Sequence, residues 1–157
     1  MDPGEIERRW RPEGFHPSDG SDWDGRVQTF DGPIPGEDDP FVSLVIRIAH
    51  PDPSWTDVLD IGCGTGRYSL ALSKRVRSIT GVDVSPAMTE AASRKAEASG
   101  ITNAEFRAMD WSVADTGRLG RYGLTIAHMT PAICSAGTFA KMLTVSRGMC
   151  FLAGYVS

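Results

Sequence analysis

Residues 58–66 read Val-Leu-Asp-Ile-Gly-Cys-Gly-Thr-Gly, and this stretch decides the fold of the chain. Its aliphatic residues predict a buried strand, with the carboxylate of Asp60 near the strand's end. Glycines at the alternate positions Gly62, Gly64 and Gly66 allow the backbone to turn tightly and a ligand to lie against the main chain. A helix that starts at this loop points its unpaired amide groups toward that ligand. The stretch therefore predicts a ligand-binding turn between a strand and a helix.

A second acidic residue, Asp83, stands 17 positions after Gly66, at the end of the next predicted strand. A carboxylate in this place can accept hydrogen bonds from both hydroxyls of a ribose. The dinucleotide-binding spacing G-x-G-x-x-G is not met, because Arg67 stands where the third glycine would be. Asp60, expected at the mouth of the loop, would also repel a pyrophosphate and favour a cationic ligand. A nucleoside cofactor with a positive charge is therefore expected, and a nicotinamide dinucleotide is the alternative.

The pattern D-x-G-x-G-x-G over residues 60–66, followed by Asp83, resembles that of the class I S-adenosylmethionine-dependent methyltransferases. The resemblance implies S-adenosyl-L-methionine as the cofactor and methyl transfer to an acceptor as the reaction. We expect the acceptor to be a small molecule. The alternative function is a non-catalytic S-adenosylmethionine-binding module, or a subunit completed by a partner chain, because the sequence shows no evident catalytic base.

The same resemblance assigns the residues that contact the cofactor. Asp60 and the glycine loop would hold its amino-acid end, and Asp83 would hold its ribose. Asp110 and Trp111, which we expect to end the third strand, would hold the adenine; a turn cap and core packing are the alternatives for these two side chains. The full set of expected cofactor-binding residues is Asp60, Gly62, Cys63, Gly64, Gly66, Asp83, Val84, Asp110, Trp111 and His128.

The catalytic residue stays unknown, with His128 as the candidate. The methyl group of the cofactor is already activated, so the protein needs a general base only if the acceptor keeps its proton near neutral pH. His128 follows the fourth predicted strand, and open parallel sheets bind ligands at that end of their strands. A base, a ligand contact and a purely structural histidine all remain open for this position.

Helical and strand patterns alternate along residues 37–157. The predicted strands lie near 56–61, 78–83, 104–109, 124–127 and 149–156, and the predicted helices near 38–50, 66–75, 86–99 and 138–147. Such alternation predicts an α/β fold: a three-layer, Rossmann-like and mostly parallel sheet with helices on both faces.

The C-terminal strands that are usual in the resembled family have no counterpart in this sequence. We expect the methyltransferase-like domain at residues 37–157 to be C-terminally incomplete, as a fragment or a shortened form. The fifth strand would then be an edge with unpaired backbone groups, which invites pairing with another chain. A homo-oligomer through this edge is the assembly that such a strand would permit.

Residues 1–36 are rich in Pro, Gly and Asp but also carry aromatic side chains, which disordered tails usually lack. These aromatic residues are Trp10, Phe15, Trp23 and Phe30. We therefore expect a partly ordered N-terminal arm, with a mobile arm as the alternative. Residues 23–30 resemble the segment that covers the cofactor in many small methyltransferases.

Composition and charge suggest which partners to expect. The 157-residue chain has a formal net charge of −4 and a pI near 5.3, without the basic character typical of nucleic-acid binding. No apolar run approaches the roughly 20 residues that span a bilayer. We therefore expect neither a nucleic-acid nor a membrane partner. Cys63, Cys134 and Cys150 match no metal-binding spacing, so we expect no metal and reduced thiols in a cytoplasmic protein.

Overall fold

The computed structural model describes residue 5 and residues 19–154. Five strands form one sheet: β1 (Asp57–Ile61), β2 (Ser78–Asp83), β3 (Ala104–Ala108), β4 (Tyr122–His128) and β5 (Ser146–Ala153). All neighbouring pairs are parallel, and the spatial order is β3-β2-β1-β4-β5. The order of the strands therefore reverses between β1 and β4, and open parallel sheets bind ligands at such a point.

Helices connect the strands and precede the first one. They are α1 (Gly20–Asp24), α2 (Val27–Phe30), α3 (Pro40–Ala49), α4 (Arg67–Ala71), α5 (Pro86–Ala98), α6 (Thr116–Leu119) and α7 (Ala136–Val145). Asp39 caps α3 by accepting hydrogen bonds from the amides of Phe41 (2.9 Å) and Val42 (3.2 Å). Both α3 and α5 begin with a proline, whose fixed φ suits the first helical position.

Apolar side chains fill both faces of the sheet, because successive strand residues point in opposite directions. One core contains Leu59, Ile61, Val82, Trp111, Tyr122, Ala127, Ile133, Met142 and Val145, and the other contains Val42, Val45, Val58, Leu72, Val76, Ile79, Leu124 and Ile126. Helix α7 contributes to the first core and helix α3 to the second. The predicted three-layer α/β fold is therefore confirmed.

Charged side chains join three strands at the edge of the sheet where the strands begin. Asp57, the first residue of β1, accepts hydrogen bonds from Arg77 Nε (2.8 Å) and from Ser78 Oγ (2.7 Å) at the start of β2. A nitrogen of Arg147 in β5 lies 3.4 Å from the same carboxylate. These donors, Arg77 above all, hold the pKa of Asp57 below its usual value. We refer to Asp57, Arg77, Ser78 and Arg147 as the Asp57 clamp.

Two element boundaries near the expected site differ from the sequence prediction. Strand β3 ends at Ala108, so Asp110 and Trp111 lie in the turn that follows it and not in the strand. The helix predicted for residues 66–75 ends at Ala71 and is followed by a short 3-10 helix. Two very short helices in the N-terminal arm, α1 and α2, and the four-residue α6 were not predicted at all.

The sequence predicts that the last helix, near residues 138–147, is stopped by Gly148, and the structure differs. Helix α7 ends at Val145, and Gly148 lies within β5. A Cβ at this position would overlap the carbonyl oxygen of Gly123 on β4, so the glycine permits close approach of two strands. The predicted end of the fifth strand at residue 156 and the aromatic residues Trp10 and Phe15 lie outside the described residues.

Within the described part of the chain, no helix is long and apolar enough to cross a membrane.

Candidate functional site

A cavity of about 1280 Å³ opens at the carboxyl ends of the strands, where the strand order reverses. The turns after β1, β2, β3 and β4 form most of its wall, and the end of β5 and the N-terminal arm complete it. The predicted residues that line the cavity are Gly62, Cys63, Gly64, Asp83, Val84, Asp110, Trp111 and His128. Two members of the predicted set, Asp60 and Gly66, lie outside this wall.

The glycine loop has a backbone shape that favours glycine. Gly62, Gly64 and Gly66 have φ angles of 69°, 52° and 75°, all in the left-handed region. The amides of Gly62 and Cys63 donate to the carbonyl oxygen of Val82 at 2.8 and 3.0 Å, which ties the loop to β2. A Cβ at Gly64 would meet nothing within 4 Å, so the space above this part of the loop is open for a ligand.

Asp83 connects the glycine loop to the start of helix α5. One oxygen of its carboxylate accepts a hydrogen bond from the amide of Gly64 (2.8 Å), and the other accepts one from the amide of Ser85 (3.0 Å). Burial raises the pKa of Asp83 above its usual value. Each carboxylate oxygen retains acceptor capacity, so the side chain can also receive hydrogen bonds from two ligand hydroxyls.

Asp60 does not stand at the mouth of the loop, contrary to our expectation. Its side chain is 3% exposed and accepts a hydrogen bond from the hydroxyl of Ser69, on helix α4. Burial raises the pKa of Asp60 to about 7, and the negative charge of Asp83 adds to this effect. Asp60 therefore lies beneath the loop, where it supports the start of α4, and any direct contact with a ligand stays a prediction.

Cys63 occupies the loop without the features of a reactive thiol. Its Sγ lies 3.6 Å from the carbonyl oxygen of Gly64, as a weak hydrogen-bond donor. Burial raises the pKa of the Cys63 thiol well above its usual value, and nearby Asp60 and Asp83 act in the same direction. A thiol in this state is a poor nucleophile.

Asp110 and Trp111 both line the cavity, but they differ in burial. Asp110 is exposed, and one carboxylate oxygen accepts hydrogen bonds from the amide (2.8 Å) and the hydroxyl (2.7 Å) of Ser112. Trp111 is 3% exposed, and its Nε1 donates to the carbonyl oxygen of Thr138 at 3.0 Å. Trp111 thus belongs to the core as well as to the cavity wall, and the adenine-binding role of the two residues stays a prediction.

His128 belongs to a cluster of three rings at the end of β4. Its ring centroid lies 4.0 Å from that of Tyr68 and 4.4 Å from that of Phe41. Burial lowers the pKa of His128 below its usual value, although Asp39 opposes this effect. The imidazole is therefore mainly neutral at pH 7 and can accept a proton, so the geometry leaves a base and a structural role both open.

The N-terminal arm crosses the glycine loop and contributes Trp23, Arg26 and Phe30 to the cavity wall. The carbonyl oxygen of Phe30 accepts a hydrogen bond from the hydroxyl of Thr65 (3.1 Å), in the loop. At its other end, Asp24 accepts a hydrogen bond from the hydroxyl of Ser85. Residues 23–30 therefore lie over the glycine loop, while their role in covering a cofactor and the division into arm and domain stay predictions.

Arg67, Tyr68 and Thr130 also line the cavity, and none of the three was predicted from the sequence. Arg67 and Tyr68 follow the glycine loop directly, and a position at the first turn of the next helix is a local signal that could have identified them. Thr130 has no such signal, because it reaches the loop from the turn after β4. A Cβ at Gly62 would overlap the Thr130 hydroxyl, so the two turns lie in close contact.

The match with known protein families spans the chain from β1 to α7. Residues 58–145, more than half of the chain, match the family model described as a methyltransferase domain. The chain is also 34% identical over 89 residues to the 23S rRNA (uracil(1939)-C(5))-methyltransferase RlmD of Marinomonas sp. (strain MWYL1). That match covers 56% of this chain and 20% of the relative, so the chain spans about a fifth of the length of this curated relative.

Two solved structures share the fold. An S-adenosylmethionine-dependent methyltransferase from Thiobacillus denitrificans, in complex with S-adenosyl-L-homocysteine, has a TM-score of 0.64 at 21% identity, and the match covers 82% of this chain and 53% of that chain. A methyltransferase of the same cofactor dependence from Aquifex aeolicus has a TM-score of 0.66 at 18% identity, covering 82% and 70%. At these identities the likeness concerns the fold.

The expectation that the protein has no nucleic-acid partner is wrong. The expectation of a small-molecule acceptor is not supported. The relative from Marinomonas is named for a ribosomal RNA substrate. The expectation rested on the net charge of the whole chain, which does not report the charge at a site. The cavity wall carries both signs of charge: two arginines, Arg26 and Arg67, and three aspartates, Asp19, Asp83 and Asp110.

The cavity fits the cofactor that the family uses. The open space above Gly64 gives a ligand access to the main chain, and the carboxylate of Asp83 can receive ribose hydroxyls. The chain belongs to the methyltransferase-domain family, and its cofactor is S-adenosyl-L-methionine.

Proposed function

We propose that this chain is the cofactor-binding domain of a methyltransferase that acts on RNA. The observation that carries the cofactor part is the position of Asp83. Its carboxylate bridges the amides of Gly64 and Ser85 at the cavity wall, beside a loop of three left-handed glycines. Acceptance of ribose hydroxyls by a carboxylate at the end of the second strand is typical of nucleoside sites in such folds.

The work of the protein in this reaction is to bind and to orient. When bound, the cofactor supplies an activated methyl group. The glycine loop and Asp83 would hold it at the β1–β2 side of the cavity. The arm residues Trp23 and Phe30 restrict water access over the loop. Orientation of two reactants in one cavity can lower a barrier by about 7–11 kcal/mol.

His128 is the residue we assign to proton removal where the acceptor requires it. It lines the cavity at the end of β4, and its lowered pKa favours the neutral imidazole, whose unprotonated nitrogen can accept a proton. An acceptor that carries no proton at the reacting atom would need no such base.

The acceptor class rests on the relative named for ribosomal RNA. Two arginines and several aromatic side chains line the cavity, and this combination is common where proteins hold unpaired RNA bases. We also place the protein in the cytoplasm, on the ground that Cys63 and Cys150 are free thiols in the structure.

Asp83→Ala tests the cofactor site. The wild-type chain should bind S-adenosyl-L-homocysteine in a calorimetric titration. The variant should bind it roughly 10- to 100-fold more weakly, because a hydrogen bond to a charged group contributes about 1.5–3 kcal/mol. Its circular dichroism should be unchanged, since the carboxylate of Asp83 bonds to the amides of two turns, at Gly64 and Ser85, and to no core side chain.

Asp115→Ala is the matched control. Asp115 accepts a hydrogen bond from the amide of Gly117 (3.0 Å) at the start of α6 and does not line the cavity. It should leave the affinity for the cofactor product unchanged. Equal affinities of wild type and Asp83→Ala would refute the assignment. For catalysis, release of S-adenosyl-L-homocysteine is measured with RNA present and absent; binding without release would favour a non-catalytic module.

A further inference from the structure

The cavity is larger than one bound ligand requires. Its volume of about 1280 Å³ exceeds the roughly 300–1,000 Å³ that is usual for a small-ligand pocket. The residues assigned to the cofactor follow β1, β2 and β3. The remaining wall consists of the first turn of α4, the end of β4 with the turn after it, the end of β5 and the N-terminal arm. An acceptor therefore has room beside Arg67, Tyr68 and His128.

Two ring side chains on this part of the wall have fixed orientations. The centroids of Tyr68 and His128 are 4.0 Å apart, with an angle of 46° between the rings. Phe41 packs behind both of them, 5.4 Å from Tyr68 and 4.4 Å from His128. Ring contacts of this kind hold side chains in place. The two rings are inclined to each other, so a planar group can stack on one of them and meet the edge of the other.

Arg67 places a positive charge next to these rings. Its Nε donates a hydrogen bond to the carbonyl oxygen of Pro33 (2.9 Å), and its Cζ lies 5.9 Å from the centroid of the Tyr68 ring. Among residues 19–154, no carboxylate forms an ion pair with Arg67. An oriented guanidinium on a cavity wall, without an anionic partner, is suited to bind a phosphate group.

We propose that Arg67 binds a backbone phosphate of the RNA acceptor while a base of that RNA lies against Tyr68 and His128. The proposal rests on the proposed function, because it takes RNA as the acceptor. The geometry that carries it is the juxtaposition, on the acceptor side of one cavity, of a fixed pair of rings and a guanidinium that has no carboxylate partner among the described residues. Stacking on aromatic rings combined with phosphate contacts is the usual way to hold single-stranded RNA.

Arg67→Gln tests the phosphate contact. The probe is a short, fluorescein-labelled single-stranded oligouridylate, titrated by fluorescence anisotropy in the presence of saturating S-adenosyl-L-homocysteine. The variant should bind the probe roughly tenfold more weakly, because a charge-assisted hydrogen bond is lost. The slope of log affinity against log salt should become smaller by about 0.7, as expected for one phosphate contact to a single strand. Its affinity for S-adenosyl-L-homocysteine is titrated in parallel, because Arg67 also bonds to Pro33 of the arm; the loss of affinity for the oligouridylate should exceed any change there.

Arg118→Gln is the matched control, since it removes the same charge from a side chain that is 90% exposed on α6 and lies outside the cavity wall. It should alter neither the affinity for the oligouridylate nor the salt slope. Equal losses in the two variants would overturn the Arg67 contact and leave the proposed function intact. A wild-type chain that binds S-adenosyl-L-homocysteine but not the oligouridylate would overturn the RNA acceptor, and the phosphate contact with it.

Discussion

Asp60 is the residue whose chemistry departs most from what its sequence position suggests. A carboxylate just before a glycine loop was expected to face the ligand, yet the side chain is buried and bonded to Ser69. Its pKa of about 7, raised by burial, is well above the value of 3.8 for an unperturbed aspartate. The folded protein therefore binds the Asp60 proton more tightly than the unfolded chain does, and protonation of Asp60 stabilises the fold.

This linkage predicts a pH-dependent difference between wild type and Asp60→Asn. The free energy of unfolding of the wild type, relative to that of the variant, should fall by a few kcal/mol as the pH rises from about 4 to about 7, because each pKa unit corresponds to about 1.4 kcal/mol. Above pH 7 the difference should level off. Urea unfolding at a series of pH values measures it. A constant difference over this range would contradict a buried, protonated Asp60.

Gly62 is under two constraints, and its replacement separates them. An alanine at this position would have to adopt the left-handed backbone conformation. Its Cβ would also overlap the Thr130 hydroxyl. Gly100, at a φ of 66°, has the same backbone constraint but open space around it. Gly100→Ala should destabilise the protein by about 1–2 kcal/mol, and Gly62→Ala by clearly more. Thermal unfolding of the two variants provides the comparison, and equal losses would mean that the Thr130 contact is unimportant.

The sequence revealed only those site residues that carry a local signal. Gly62, Gly64 and Asp83 could be predicted, because a loop spacing and a strand end are visible within a few positions. The proximity of Tyr68 to His128 could not be predicted, since it depends on how α4 packs against the end of β4. The burial of Asp60 was missed for the same reason, because its partner Ser69 belongs to the following helix.

At the scale of elements, one side chain of helix α5 holds the N-terminal arm across the glycine loop. The Nζ of Lys95 donates to the carbonyl oxygen of Gly32 (2.9 Å), forms an ion pair with Asp31 (2.5 Å) and lies 3.2 Å from the hydroxyl of Thr65. The Lys95 side chain is only 16% exposed. An ion pair that is partly shielded from solvent is less screened than one on the surface, so Lys95 is the main polar anchor at this end of the arm.

Lys95→Met should release the arm and leave the domain folded. Methionine keeps an apolar stem of similar length and removes the three polar contacts. We expect faster trypsin cleavage after Arg26, which is exposed in α1–α2, and a several-fold weaker affinity for S-adenosyl-L-homocysteine. Limited proteolysis followed by mass spectrometry measures the first effect. Lys74→Met, at an exposed site in the 3-10 helix, is the control; equal cleavage rates would mean that Lys95 does not hold the arm.

Elements with a clear repeat could be predicted, and elements defined by contacts could not. Helices α3 and α5 show apolar spacing, capping residues and a proline at the first position, and both starts were correct. Helices α1 and α2 have five and four residues, too few for any periodicity. Gly148 was predicted to stop a helix. It lies in β5 instead, where the absence of a side chain permits close contact with Gly123 on β4.

For the molecule as a whole, the alternation of strands and helices was sufficient to predict a parallel α/β sheet, and the site followed from the reversal of strand order. Net charge was a poor guide to the partner. The total of −4 sums over the entire surface, whereas an acceptor meets only the charges of one cavity. Composition likewise gave no indication that the chain spans about a fifth of the length of a curated relative.

The Asp57 clamp has a consequence for how the two rims of the sheet can evolve. It joins the strands at the edge of the sheet where they begin, and the residues assigned to a ligand lie at the opposite edge. Substitutions among Asp57, Arg77 and Arg147 can therefore tune resistance to heat or salt without altering ligand preference. Substitutions at the opposite rim can change what is recognised while the scaffold keeps its shape.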